Sequence, residues 1–109
     1  MVARVALACG VAMSSTSAIA SASQPGLVAN TIANHSGRFF FETAGQRTTR
    51  PGCAYYPRWV VDASTPAGQA VMALVLTAQG QGKLLLVQGL DDCRDWPDTE
   101  AVSHVQVVN

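Results

Sequence analysis

Charge is scarce in this chain. Lys and Arg together number seven and Asp and Glu seven, so 109 residues carry no formal net charge. No dense basic footprint is offered to a phosphate backbone, which excludes nucleic acid as the expected partner. C-x-x-C pairs are missing, and His35 and His104 lie far from Cys53 and Cys93 along the chain. The closely spaced ligands of a structural zinc site are therefore lacking. No serine sits in G-x-S-x-G, so Ser36, Ser64 and Ser103 lack that nucleophile setting. Asp62, His104 and one carboxylate-rich segment supply titratable groups without a paired acid/base arrangement. The expectation is a non-enzymatic protein with no metal and no cofactor. The apolar run at 5–13 is also shorter than the roughly 20 residues that cross a bilayer, so no membrane anchor is expected.

What surrounds that run has another use. Arg4 precedes it, and small residues follow it, ending in Ala18-Ile19-Ala20-Ser21-Ala22. A basic start, a short apolar core and A-x-A endings have the form of a secretory leader cleaved after Ala20 or Ala22. The chain then divides into a leader at 1–22 and a single domain at 23–109, placed outside the cytoplasm as a secreted or periplasmic protein. Two cysteines remain after the leader leaves, Cys53 and Cys93. In an oxidising compartment the default is a disulfide between them. Closing a loop of roughly 40 residues contributes about 4 kcal/mol in the chain-entropy model. For a domain this short, with a modest buried fraction, a staple of that size matters.

Periodicity and breakers give the elements. Residues 27–34 form a weakly patterned strand, and Asn34-His35-Ser36-Gly37 a turn. Arg38-Phe39-Phe40-Phe41-Glu42-Thr43 is a strand on aromatic content, with Phe39 and Phe41 on one face and Phe40 on the other. Residues 44–52 are polar, broken by Gly45, Pro51 and Gly52, and read as a solvated loop carrying Arg47 and Arg50. A strand resumes at 58–62. Thr65 then caps a helix whose first turn accepts Pro66, and Gly80 and Gly82 end it. Val71, Leu74, Val75 and Ala78 fall at i, i+3, i+4 and i+7 and form its apolar face. Met72 and Leu76 make a second apolar pair off that face, so either the helix is deeply packed or this pair meets another copy in a homo-oligomer. Strands at 83–89 and 102–108 complete the order. The fold class is β-rich α+β: a small OB-like barrel or curved antiparallel sheet with one central helix.

Five of the seven acidic residues crowd into LDDCRDWPDTEAV at 90–102. The spacing does not match an EF-hand loop. Arg94 lies among the carboxylates, and the reading is a solvated connection pinned by Cys93, with a cation site or partner contact as alternatives. The aromatics Tyr55, Tyr56, Phe40 and Trp96 are the candidate binding residues. Their rings either pack as core edge or stack on a ligand such as a glycan.

Trp59-Val60-Val61-Asp62, Ser64-Thr65-Pro66-Ala67-Gly68, Leu76-Thr77-Ala78, Gly89, Cys93, Trp96, Asp98 and Glu100 together resemble a group of small exported bacterial proteins of poorly known function. More remotely, a helix leading into a strand in a small disulfide-bearing exported domain is similar to the binding subunits of AB5 toxins, of the subtilase-cytotoxin and pertussis-like branch. That resemblance implies an OB-like fold, a ring with Met72 and Leu76 facing a neighbouring subunit, and host glycans or an exported protein as partner. A secreted structural or self-assembling protein is the alternative.

Overall fold

The computed structural model describes residues 21–109, so the leader reading lies outside the described residues as far as residue 20. Six strands and a helix follow in the order β1 (Ala22–Gly26), β2 (Val28–Ala33), β3 (Arg38–Thr43), β4 (Trp59–Asp62), α1 (Pro66–Gln81), β5 (Leu84–Gly89) and β6 (Glu100–Val108). They form one sheet ordered β1-β5-β6-β4-β3-β2. Neighbours are antiparallel except β4 and β6, which run parallel through Trp59 opposite Glu100 and Val60 opposite Ala101. The curved sheet with one helix is observed, and its sheet is mixed rather than wholly antiparallel.

Curvature follows from connectivity. Strands β1 and β2 occupy opposite ends of the sheet yet are separated by Leu27 alone. A flat sheet cannot satisfy that, so this one curls into a half-barrel. The segment after β3 then meets β1: the Gln24 amide donates to Gln46 O at 2.8 Å, and the Thr48 amide to Ala22 O at 2.8 Å. A side chain cannot fit at the crossing, because a Cβ on Gly45 would overlap the Gln24 carbonyl. Strand β1 went unrecognised in the sequence because Ala-Ser-Gln-Pro-Gly has no apolar alternation. Its pairing with β5 and with 44–48 holds it.

The three phenylalanines of β3 lie opposite β4, Phe39 against Val61, Phe40 against Val60 and Phe41 against Trp59. Phe39, Phe41, Trp59 and Val61 join Leu85, Val87, Val75 and Ala78 in one core cluster. Phe40 takes the other face of the sheet and is also buried, its ring edge-on to Trp96 with centroids 5.4 Å apart. Both faces of β3 are covered.

The helix starts as its sequence dictates. Thr65 is extended (φ −103°, ψ 151°), and its hydroxyl accepts the Gly68 amide at 3.0 Å. Pro66 occupies the first turn, where its absent N–H leaves nothing unsatisfied. Gly82, at φ 63°, closes the far end in the left-handed region, while Gly80 lies within the helix. Two other details differ from the sequence reading. Gly68, Val75 and Ala78 are buried with Val71 and Met72 packed against the core, whereas Leu74 is 44% exposed. Leu74 lies at the margin of the buried stripe formed by Gly68, Val71, Val75 and Ala78 and falls outside it. Met72 is partly buried against the core of its own chain, and Leu76 is exposed. Among the described residues no helix is long and apolar enough to cross a membrane.

Candidate binding face

Cys53 and Cys93 are bonded, with Cα atoms 6.2 Å apart, and join the long β3–β4 connection to the β5–β6 connection. Everything at this corner depends on that juxtaposition. The Tyr55 amide donates to Asp98 O at 2.9 Å, so the two connections are also joined by backbone. Tyr55 and Tyr56 pack edge to face, centroids 4.9 Å apart, yet remain 77% and 44% exposed.

Behind the tyrosines stands Arg58. Its guanidinium carbon lies 4.3 Å from the Phe40 ring centroid and 4.9 Å from that of Tyr56. Its Nε donates to Thr99 Oγ1 at 3.0 Å, and its Nη2 reaches Asp98 Oδ1 at 3.4 Å. Cation–π contact and hydrogen bonding together hold this arginine in one orientation. Half-buried Trp96 flanks the same group through Phe40. The four aromatic candidates thus converge, linked by an arginine that sequence reasoning did not single out. Phe40 is the buried floor of this face, with Tyr55 and Tyr56 exposed and Trp96 half-buried beside it.

The acidic segment is not one solvated run. Asp92 pairs with Arg94 at 2.6 Å, and this hydrogen bond holds the Asp92 carboxyl below its usual range. Asp98 serves Arg58. Arg38 donates to Asp95 O at 2.9 Å and to Asp62 Oδ1 at 3.1 Å, tying the segment to β3 and β4. Burial, and then the charge of Asp62, push the Asp95 carboxyl up. Asp62, Asp95, Thr65, Val71 and Ser103 line a cavity of about 210 Å³ beside the start of α1. Among the described residues, no group of three or more His, Cys, Asp or Glu is placed to hold a metal ion.

Glu100 departs furthest from the solvated-loop expectation. It opens β6, its side chain has no exposure, and it meets Arg47 Nη2 at 2.5 Å. Arg47, expected on a solvated loop, is instead folded over the Trp59 ring at 3.8 Å from the centroid. Desolvation pushes the Glu100 carboxyl up and the Arg47 guanidinium down. The Asp91 amide donates to Glu100 Oε2 at 2.9 Å. Gly89 is the residue that makes room, since a Cβ there would strike the Glu100 carboxylate and Trp59. The paired cysteines were the available signal: a bond between Cys53 and Cys93 brings a loop holding Arg47 and Arg58 beside one holding Asp98 and Glu100.

His104 is exposed on β6, 3.4 Å from the Ser103 hydroxyl. Comparison of the chain with protein-family models, with curated proteins and with solved structures finds no match.

Proposed function

We propose that this protein is an exported, non-enzymatic binding module whose ligand face is formed by Tyr55, Tyr56 and Trp96 beside Arg58 and Asp98. The curved sheet with its helix is a small module consistent with a binding-type domain; secretion and the ligand class belong to the proposal. One observation carries it: two tyrosine rings stand largely in solvent on backbone anchored by a disulfide and by the Tyr55–Asp98 hydrogen bond. Exposed aromatic area on a fixed frame loses little conformational freedom on binding, which is how such rings contribute affinity. Glycans suit the face, because aromatic rings accept the C–H face of a sugar and the adjoining Asp98 and Arg58 offer an acceptor and donors for hydroxyls. The resemblance to AB5 binding subunits is part of this proposal and rests on architecture.

The test is binding of the purified protein to a panel of immobilised oligosaccharides. A hit should weaken at least about tenfold in Tyr55→Ala and Tyr56→Ala, a change of about 1.4 kcal/mol. Unchanged melting temperatures would localise the effect to the face. Undiminished binding by both variants would refute the assignment.

A second reading is self-assembly. The 16 residues of α1 include no charged side chain, and Leu74 and Leu76 are each 44% exposed. An oligomer seen by light scattering and lost in Leu76→Asp would favour it; a monomer at high micromolar concentration would refute it.

A further inference from the structure

Beyond the apolar run two bonds satisfy the A-x-A pattern, after Ala20 and after Ala22, and sequence does not choose between them. The fold distinguishes their products. Ser21 has no exposure, and its carbonyl accepts the Gly89 amide at 2.6 Å. Its hydroxyl donates to Asp91 Oδ1 at 3.2 Å and lies 3.4 Å from Thr49 Oγ1. Ala22 pairs with Gln88 in β5 and donates its amide to Thr48 Oγ1 at 3.2 Å, while its carbonyl takes the Thr48 amide at 2.8 Å. Losing these two residues would strip the β1 end that meets β5 on one side and 44–48 on the other. The Gly89 amide would lose its acceptor.

We propose that the mature chain begins at Ser21, and that the α-ammonium created there becomes part of the fold by pairing with the Asp91 carboxylate. It rests on the export reading above. A leader peptidase hydrolyses the Ala20–Ser21 amide: one water is consumed, Ala20 leaves as a carboxylate, and Ser21 keeps the nitrogen as an ammonium. The enzyme acts on an unfolded chain, so the fold does not steer it; the fold decides which product is stable. The charge is also matched. An α-amino group titrates near about 8, so it is largely protonated at neutral pH. At Ser21 it arises on a residue whose hydroxyl already touches Asp91, with Glu100 next to the Asp91 amide. Cleavage after Ala22 would put the charge on Ser23, a buried residue whose hydroxyl instead receives a hydrogen bond from Thr43.

The full chain with its own leader is expressed in an exporting bacterium, and the exported protein's first residue is read by N-terminal sequencing and intact mass. Ser21 is expected. Ser23 would overturn the site while leaving export intact, and a leader still attached to cell-bound protein would overturn both. Ala18→Arg removes the first A-x-A match and leaves Ala20-Ser21-Ala22. Its product, shortened by two residues, should melt at least about 4 °C lower, or fail to accumulate; equal yield and melting would refute the proposal. Acetylating the α-amine of the exported protein should lower its melting temperature, and by less in Asp91→Asn. Equal losses in the two backgrounds would refute the pairing.

Discussion

Replacing Arg47 with Met tests how the buried polar contact is held. Methionine keeps most of the stem that covers Trp59 but removes the charge facing Glu100, whose side chain has no exposure. Removing one partner of a buried pair typically destabilises by about 3–5 kcal/mol, because the remaining charge is left desolvated. In a domain of this size each kcal/mol lowers the melting temperature by about 4–8 °C. The loss must also depend on pH. Burial already raises the Glu100 carboxyl above its ordinary value of 4.5, and without Arg47 it rises further. A carboxyl raised in the folded state holds its proton more tightly there than in the unfolded chain. Its contribution is fully present below the unfolded value and is lost as pH rises through the folded one. Arg47→Met should therefore be least harmful near pH 4 and most harmful at neutral pH. Urea unfolding at both pH values measures this, and adding Glu100→Gln should recover stability at neutral pH. A loss that is equal at both pH values, or no recovery in the double variant, would refute the account.

Two further outcomes follow from the same corner. Reducing the Cys53–Cys93 bond should remove about 4 kcal/mol, seen as a lower urea midpoint; an unchanged midpoint under reductant would refute its role as the staple. Gly89→Ala should destabilise by more than about 1 kcal/mol, because its methyl group displaces the Glu100 carboxylate and overpacks Trp59. Thermal melting of that variant checks it.

The disulfide was legible because, with the expected leader set aside, Cys53 and Cys93 are the two cysteines that remain. The helix start was legible because Thr65 and Pro66 act on their own neighbours, and the β3 strand because of its aromatic content, whereas the burial of Phe40 against Trp96 was decided by tertiary packing. The sequence hid Arg47 and Glu100. Both belong to segments whose local composition is that of solvated loops, and their burial arises from residues 53 positions apart. Arg58 stayed unremarked for the same reason: its partners Phe40, Tyr56, Asp98 and Thr99 lie in separate parts of the chain.

By itself, the amino-acid order determined what acts over a few residues: caps, turns and strand faces. Tertiary structure decided the rest: that β4 and β6 run parallel, that Leu74 faces outward, and that β1 closes on 44–48 with no apolar pattern of its own. The last of these depends on sheet curvature, which a one-residue link between the two ends of the sheet imposes. A constraint of that kind acts on the whole barrel and leaves no mark on the composition of any one segment.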